Sequence, residues 1–292
     1  KERNEMSKII KFVLFILLFF LTFCFSSLLK VYFIDVGQGD AAFIITPNNY
    51  TMLVDAGDRD EFHDYGKDVC SFIKDQLKIN KINVALISHP HKDHIGGMIY
   101  ILSNMKVEKF YDPGFPYPSL VYFELLEIVN KKKIKYYLAR GETYINLDPQ
   151  VEIKILYPPK NFVFDTPNDN SVVLRIRYKK ISVLFTGDIE ANAEKVIVKK
   201  YKNRRKEISS NILKVPHHGS ATSSTYEFIK LVKPEVAIIS CGRNNRFGHP
   251  HYRILRRYED YGVKIFRTDI DGPIEVIIDG KDYKIKRFKY SN

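Results

Sequence analysis

The stretch of this chain that most restricts its possible folds is "SHPHKDHIGG", residues 88–97. Four of its residues can bind metal ions: His89, His91, Asp93 and His94. It follows the apolar segment "INVALIS", typical of a buried strand, and ends in two glycines that lead into a predicted helix. We therefore predict a ligand loop at a strand end. Two imidazoles two residues apart can face one ion there, and the Asp-His pair can face a second.

The cysteines limit the chemistry of such a site. Cys24, Cys70 and Cys241 are too few and too scattered for a thiolate metal site or a disulfide framework. The ligands must therefore be imidazoles and carboxylates, which suit borderline or hard divalent ions. We expect two divalent metal ions, Zn²⁺ or Mn²⁺, rather than copper.

Two later segments repeat the pattern of an apolar strand that ends in a potential ligand. In "VLFTGD", residues 183–188, Asp188 follows the strand, and its carboxylate can bridge two cations, which an imidazole cannot do. In "ILKVPHHGS", residues 212–220, His217 and His218 follow another strand. We expect these distant segments to converge on the loop at residues 89–94.

Short apolar strands and helical segments alternate through the rest of the chain. Helices are predicted near residues 65–78, 120–130, 189–203, 224–232 and 251–261. A last strand pair, "VKIFRT" and "IEVIID", is expected to close the chain. Because no Ser- or Gly-rich linker divides residues 28–292, we predict a single domain of the α/β class with two similar halves.

The first 27 residues differ from the rest of the chain. Four basic residues precede an almost unbroken apolar run at residues 12–25, a pattern typical of a secretion signal. We interpret residues 1–27 as a signal peptide or an N-terminal membrane anchor. The remainder is then extracytoplasmic, either secreted or anchored to the outer face of the cytoplasmic membrane, and an uncleaved segment would contact that membrane.

The chain carries a formal net charge of +12, which favours anionic partners such as nucleic acid, surface polymers or lipid head groups. Its densest basic run is "KKYKNRRK", residues 199–206. A groove that tracks DNA is one interpretation of this run. A solvated helix end is favoured, because the helix dipole stabilises cations near a carboxyl terminus. Protein partners remain unknown at this point.

The H-x-H-x-D-H loop with a later Asp and a later His resembles the metallo-β-lactamase fold superfamily. The resemblance implies a four-layer αββα sandwich with a dinuclear metal site. By position, His89 and His91 would bind one ion and Asp93 and His94 the other, with Asp188 between them. His217 or His218 would complete the second ion. We take His217 as this ligand and His218 as a proton donor, although the sequence does not distinguish them.

A more specific resemblance is to the extracytoplasmic hydrolase domain of ComEC-type competence proteins, which take up DNA. "FIDVGQGDAAFI", "LVDAG", "SHPHKDHIGG", "NDNSVVLRI", "LFTGDIE", "ILKVPHHGS" and "IISCGRNNRFGHPH" look like that domain, in the same order. The resemblance spans roughly residues 31–279. It implies that Asp55, in "LVDAG", supports the ligands from behind by orienting an imidazole.

One departure from the wider superfamily concerns the first ion. Many members have a third histidine ligand just before the "TGD" strand, but no histidine occurs between His94 and His217. "TPNDNSVV" occupies that place, so Asn168, Asp169 or water would have to serve. ComEC-type domains carry a similar pattern there. It predicts a weaker first ion and a preference for Mn²⁺.

Further residues are expected around the ions. Asp93 and His249 are catalytic candidates besides His218, and Asp40 is a candidate to support the site through its tight turn. The remaining candidates would bind the phosphate of a substrate, with the arginines gripping it in a bidentate manner: Ser220, Arg243, Asn245 and Arg246. An ordinary solvated loop is the alternative for Arg243 and Arg246.

Together, these expectations predict a metal-dependent phosphodiesterase that uses a metal-bridged hydroxide. The lead hypothesis is an exported, ComEC-like nuclease that acts on DNA during uptake. One alternative is an esterase that cleaves phosphorylcholine-type diesters of cell-surface polymers. Another is a non-catalytic DNA-binding accessory of uptake. β-Lactam hydrolysis is disfavoured, because the first ion lacks its third imidazole.

Overall fold

The structure, a computed structural model, describes residues 27–290. The predicted signal or anchor at residues 1–27 therefore lies outside the described residues, apart from Ser27. Between residues 27 and 290, no helix combines the length and the apolar character needed to cross a membrane.

Eight strands form the first sheet: β1 (Leu29–Phe33), β2 (Ala41–Ile45), β3 (Thr51–Ala56), β4 (Lys81–Leu86), β5 (Lys106–Asp112), β6 (Lys135–Leu138), β13 (Ile274–Ile278) and β14 (Tyr283–Arg287). Their spatial order is β14-β13-β1-β2-β3-β4-β5-β6. From β14 to β3 neighbouring strands are antiparallel, and from β3 to β6 they are parallel. The carboxyl ends of β3, β4 and β5 therefore lie at one edge.

Six strands form the second sheet: β7 (Val151–Tyr157), β8 (Val173–Tyr178), β9 (Ile181–Phe185), β10 (Ile212–Lys214), β11 (Val236–Ile239) and β12 (Lys264–Arg267). Their order is β12-β11-β10-β9-β8-β7. The four strands from β9 to β12 are parallel, so their carboxyl ends also share one edge of the sheet.

Eight helices occur in the part of the chain that the structure describes: α1 (Tyr65–Ser71), α2 (Lys92–Ile95), α3 (Met98–Asn104), α4 (Leu120–Lys131), α5 (Ala191–Tyr201), α6 (Tyr226–Val232), α7 (Tyr252–Asp260) and α8 (Thr268–Asp271). A π-helical turn, Phe72–Gln76, continues α1. The longer helices agree with the segments predicted from the apolar periodicity.

The two sheets pack face to face, with helices on their outer faces. Alternation along β1 shows the principle: Val31 and Phe33 point into the layer between the sheets, whereas Tyr32 packs against the helical layer. The Phe33 and Phe185 rings stack between the sheets with centroids 5.6 Å apart. Helices α1, α3 and α4 cover the first sheet, and α5, α6 and α7 cover the second. The predicted αββα sandwich is confirmed.

The predicted closing strand pair was wrong. "VKIFRT" forms β12 in the second sheet, whereas "IEVIID" forms β13 in the first sheet, where it pairs with β1 and β14. Helix α8 and Gly272, with a φ of 67°, lie between these strands. Apolar alternation predicts a strand but does not specify which sheet the strand joins.

Candidate metal centre

Four loops bring the predicted ligands together, and each follows a strand of a parallel part of a sheet. His89 and His91 follow β4, and α2 then carries Asp93 and His94. The other three loops follow β9, β10 and β11, at residues 186–190, 215–220 and 240–251. The sheets are stacked so that these strand ends meet at one edge of the sandwich, where open α/β sheets commonly bind ligands.

The tightest cluster contains two carboxylates and two imidazoles. Each of its members contributes one potential ligand atom, and all four atoms lie within 4.8 Å of one another: Asp93, His94, Asp188 and His218. His94, Asp188 and His218 are buried, and Asp93 is partly exposed. This set can hold one divalent ion.

Asp188 lies at the centre of the site. Its Oδ2 is 3.2 Å from His94 Nε2 and 3.3 Å from His218 Nε2. The same oxygen is 3.9 Å from His89 Nε2 and 3.8 Å from His217 Nε2. One carboxylate oxygen therefore faces four imidazoles, which is the position required of a ligand shared by two ions.

His89 and His91 form the second group of imidazoles. His89 is buried, and its Nε2 lies 3.0 Å from His91 Nδ1. The Tyr117 ring lies edge-on to His91, with centroids 5.4 Å apart. The two nitrogens converge beside Asp188, as one ion bound by both imidazoles would require.

Asp55 and Ser240 set the tautomers of two cluster imidazoles. His94 Nδ1 donates a hydrogen bond to Asp55 Oδ2 at 2.9 Å, and Asp55 Oδ1 accepts the Ser88 N–H at 2.7 Å. His218 Nδ1 donates to the Ser240 carbonyl oxygen at 2.9 Å. With the Nδ1 proton of each ring held in this way, Nε2 is the nitrogen that a metal ion would take in exchange for a proton, the arrangement that metal-ligating histidines adopt. This location of Asp55 agrees with the supporting role predicted for it.

The charges of the cluster are strongly coupled. Burial alone would raise the pKa of Asp188, but His218 and His94 outweigh burial and hold it well below its usual value. Burial would lower the pKa values of His94 and His218, but the surrounding carboxylates, Asp188 foremost, together outweigh it and raise both. Without a cation the acids are therefore balanced by protons on imidazoles, and a bound cation would take the place of these protons.

The residues fit a divalent ion. Three buried atoms that face the cluster have no hydrogen-bond partner within residues 27–290: Asp188 Oδ1, His94 Nε2 and His218 Nε2. Buried polar atoms are normally satisfied, so such a group of unpaired ligand atoms fits the coordination of a divalent cation. Carboxylate and imidazole donors suit Zn²⁺ or Mn²⁺.

Lys214 is a residue of the site that the sequence analysis did not identify. It is the last residue of β10, it is buried, and its ammonium group forms an ion pair with Asp40. Asp40 Oδ1 lies 3.3 Å from His218 Nδ1. Burial would raise the pKa of Asp40, but Lys214 together with His218 and His94 outweighs burial and lowers the pKa. A lysine inside an apolar strand just before two histidines was the available signal, since lysine is rarely buried unpaired.

The structure gives different surroundings to the two histidines of the pair, which the sequence does not distinguish. His218 lies in the tight cluster, with Nε2 3.4 Å from Asp93 Oδ2, and it was taken from sequence as the proton donor. His217, which was taken as the ligand of the second ion, is partly exposed, with Nδ1 3.1 Å from Glu190 Oε1. Both residues have left-handed backbones, so their order in sequence does not predict their side-chain directions.

Residues 166–173 stand where many members of the superfamily have a third histidine ligand. Two polar residues of this segment have different roles. Asp169 accepts the backbone N–H groups of Glu190 and Ala193 at 3.1 and 3.2 Å, so it supports the start of α5. The Asn168 side-chain amide donates to Glu190 Oε1 at 3.4 Å. Asn168 Oδ1 is buried without a hydrogen-bond partner in the described range. Asn168 thus remains available as a ligand, whereas Asp169 is engaged elsewhere.

The loop after β11 brings His249 to the site. Its ring centroid lies 5.6 Å from that of His217 and 6.1 Å from that of His218. Burial and the neighbouring His218 and His217 lower the pKa of His249 to about 4. His249 is therefore mainly neutral at pH 7, and its low pKa makes it a weak proton acceptor.

The predicted phosphate-binding residues differ in their environments. Asn245 is engaged by its own loop: its amide donates to the Gly242 and His249 carbonyls, and its Oδ1 accepts the N–H groups of Phe247 and His249. It therefore shapes the loop instead of presenting a free group, which corrects the sequence-based role.

The other three predicted groups remain near the rim of the site. Ser220 is buried, and its hydroxyl lies 2.9 Å from that of Thr222. Arg243 is exposed and lines a recess of about 380 Å³ together with His249. The Arg246 guanidinium stacks 4.9 Å from the centre of the Phe247 ring.

Two other segments, of which the sequence analysis considered the basic run, pack against the rest of the protein. In the basic run 199–206, Arg204 pairs with Glu207 at 2.6 Å and Lys200 lies 3.4 Å from Glu142. This agrees with a solvated helix end. In the turn-rich segment before α4, Phe115 is buried against the body of the protein.

The metallo-beta-lactamase superfamily matches residues 34–243 of this chain. The match covers more than half of the chain, which therefore belongs to this superfamily. Together with the fold and the ligand cluster, the match identifies the protein as a hydrolase.

Similar proteins show a more specific resemblance within this superfamily. The chain is 29% identical over 271 residues to ComE operon protein 3 of Bacillus subtilis (strain 168), a match that covers 88% of this chain and 34% of that protein. It is 29% identical over 275 residues to Recombination protein 2 of Haemophilus influenzae, covering 89% of this chain and 31% of that protein. The chain thus spans about a third of the length of these relatives. The resemblance to ComEC-type competence proteins is confirmed.

Solved structures share the fold at low identity. CmlA, a diiron beta-hydroxylase from Streptomyces venezuelae, matches with a TM-score of 0.53 at 14% identity, covering 89% of this chain and 54% of that chain. Tm1679, a metal-dependent hydrolase of the beta-lactamase superfamily, matches with a TM-score of 0.50 at 13% identity, covering 82% of this chain and 95% of that chain. These likenesses concern the fold alone.

Proposed function

We propose that the protein is a metal-dependent phosphodiesterase outside the cytoplasmic membrane, and that it cleaves DNA during uptake. The observation that carries the proposal is the position of Asp188, whose Oδ2 faces His89, His94, His217 and His218. The similarity to competence proteins supports DNA as the substrate. The net charge of +12 supports a polyanionic substrate.

The chain's own residues would hold the ions and orient the ligands. Asp93, His94 and His218 would bind one ion, His89 and His91 the other, and Asp188 would contact both. When bound, such a pair of ions activates water and neutralises charge on phosphate oxygens. Asp55 and the Ser240 carbonyl hold the Nδ1 protons of His94 and His218, which directs the Nε2 atoms of both rings toward the ion.

Residues of the loop after β11 would act on the substrate. The His249 imidazole is neutral at pH 7, because its pKa lies near 4, so it would orient water or substrate by hydrogen bonding and would take up a proton only weakly. Arg243, at the recess beside His249, can pair with a phosphate of the bound strand. Ser220, close behind the histidine pair, can bond a phosphate oxygen.

The location outside the membrane is part of the proposal. Its support is the basic flank followed by the apolar run at residues 12–25, which is typical of a secretion signal or an anchor. Mass measurement of the N-terminus of the exported protein distinguishes a cleaved signal from a retained anchor. Recovery of the chain only from the cytoplasm would contradict this part.

The test is an assay of the purified protein with Mn²⁺ or Zn²⁺. The substrates are labelled single-stranded DNA, duplex DNA and bis-p-nitrophenyl phosphate. We expect cleavage of DNA, with loss of at least about 10³-fold in the Asp188→Ala and His91→Ala variants. His63→Ala is the matched control, because His63 is exposed and pairs with Asp68 away from the cluster.

Other outcomes would replace the proposal. Turnover of the small diester without cleavage of DNA would favour an esterase of surface polymers. Binding of DNA without turnover under either metal would favour a non-catalytic accessory. An affinity for DNA that does not fall with salt would exclude a basic binding surface, since release of counterions makes such binding steeply salt-dependent.

A further inference from the structure

The first ion would have only two histidine ligands from the H-x-H-x-D-H loop, and the third histidine of the wider superfamily is absent. His89 Nε2 and His91 Nδ1 converge at 3.0 Å beside Asp188, but no histidine occurs between His94 and His217. Asp169, one of the sequence-based substitutes, is engaged by backbone N–H groups at the start of α5. Another side chain must therefore complete the group of ligands, or water must do so.

His217 lies where such a ligand is needed. Its Nε2 is 3.8 Å from Asp188 Oδ2, almost the same separation as the 3.9 Å from His89 Nε2 to that oxygen. About a fifth of the His217 side chain is exposed, whereas the His218 side chain is buried. The two rings are separate, with centroids 6.1 Å apart and planes at 66° to each other, although both reach the shared carboxylate.

Glu190 prepares His217 for this role. Its Oε1 lies 3.1 Å from His217 Nδ1 and also accepts hydrogen bonds from Thr222 Oγ1 at 3.1 Å and the Asn168 amide at 3.4 Å. A carboxylate at Nδ1 keeps the proton on that nitrogen and leaves the Nε2 lone pair directed at Asp188. Metal-ligating histidines are held by outer carboxylates in this manner.

The backbone of the pair is strained in a way that serves both imidazoles. His217 has φ 48° and ψ 47°, and His218 has φ 53° and ψ 19°. A left-handed conformation costs a residue other than glycine about 1–2 kcal/mol. Such strain persists where the surroundings enforce it, typically at functional sites. Here it brings two consecutive imidazoles to the same carboxylate.

We propose that the two histidines serve different ions: His218 binds with Asp93 and His94, while His217 replaces the missing imidazole and binds with His89 and His91. Glu190 is then the positioning residue for His217. The inference rests on the metal centre of the proposed function, but it does not depend on DNA as the substrate.

The test is a titration of the full chain with Mn²⁺, with bound ions counted by metal analysis and free Mn²⁺ followed by electron paramagnetic resonance. We expect two ions in the unaltered protein. His217→Ala and His89→Ala should each weaken the same ion by more than 100-fold, and the double variant should retain the other ion. Glu190→Gln should weaken that ion by about 10–100-fold. His63→Ala should bind both ions normally.

Several results would overturn the inference: a single ion per unaltered chain, binding of both ions at unchanged affinity by His217→Ala, or loss of the first ion in Asn168→Ala but not in His217→Ala. Far-UV circular dichroism in the presence of a chelator verifies that each variant is folded. The expected binding pattern without any cleavage of DNA would refute the proposed substrate but leave the ligand assignment standing.

Discussion

The ion pair of Lys214 and Asp40 offers the sharpest test of how the site is supported. Lys214 is 2% exposed and Asp40 is 7% exposed, so neither charge has water to replace its partner. Asp40 in turn lies 3.3 Å from His218 Nδ1. Lys214→Met keeps the length and apolar body of the side chain but leaves the Asp40 carboxylate buried without its cation.

The expected loss of stability is large. Removal of one partner of a buried ion pair costs about 3–5 kcal/mol, because the remaining charge is uncompensated. Replacement of both charged partners by uncharged residues often changes the free energy of unfolding little. The double variant Asp40→Asn/Lys214→Met should therefore recover most of the stability lost in Lys214→Met. Lys230→Met, at an exposed position of α6, should change stability by less than about 0.5 kcal/mol.

The assay is unfolding in urea, followed by far-UV circular dichroism because the chain has no tryptophan. A chelator keeps metal binding from adding to the measured free energy. The lowered pKa of Asp40 predicts that the pair stabilises the fold above pH ~3.9, the pKa of an unperturbed aspartate, and that this contribution is lost as the pH falls further. A cost below 1 kcal/mol for Lys214→Met, or a double variant no more stable than the single one, would refute the reasoning.

Two further predictions concern buried carboxylates. Asp55→Asn should lower Mn²⁺ affinity by about 10–100-fold in a chelator competition, because His94 loses the acceptor that fixes its tautomer; unchanged affinity would contradict this role. Glu194 is buried where it accepts the Ser224 and Thr225 N–H groups, and burial raises its pKa to about 7. The Glu194 carboxyl ionises at a lower pH in the unfolded chain than in the folded protein. The free energy of unfolding should therefore fall between about pH 4.5 and 7, by on the order of 3 kcal/mol. Glu194→Gln should flatten this slope in urea unfolding measured across that range, and an unchanged slope would exclude Glu194 as its source.

Much of the fold and of the ligand set could be predicted from local order along the chain. An apolar run followed at once by a polar residue identifies a strand end, as in "VLFTGD" before Asp188. Parallel strands place such ends at one edge of each sheet, whereas the convergence of residues 89–94 with Asp188 also requires the two sheets to stack, because β4 and β9 lie in different sheets. The helices could also be predicted from the sequence, because the apolar residues on a buried helix face recur every three to four residues.

Other features depended on contacts between residues far apart in the sequence. Lys214 and Asp40 are separated by 174 positions, and no local pattern announces their ion pair. The sequence predicts that the Asn245 side chain binds phosphate. In the structure its amide is instead bonded to backbone groups of the same loop. Strands β12 and β13 have similar apolar patterns but lie in different sheets.

The histidine pair shows where this division falls. The letters "HHGS" after a strand were enough to place two imidazoles at the metal edge, because chain order and strand direction decide which edge a residue occupies. They could not show which ring faces which ligand. That choice depends on the backbone angles of His217 and His218, both left-handed, and on Glu190 and Ser240, which reach the two rings from other strands and loops. Side-chain direction at a strained turn is enforced by packing around it, and packing exists only in the folded chain.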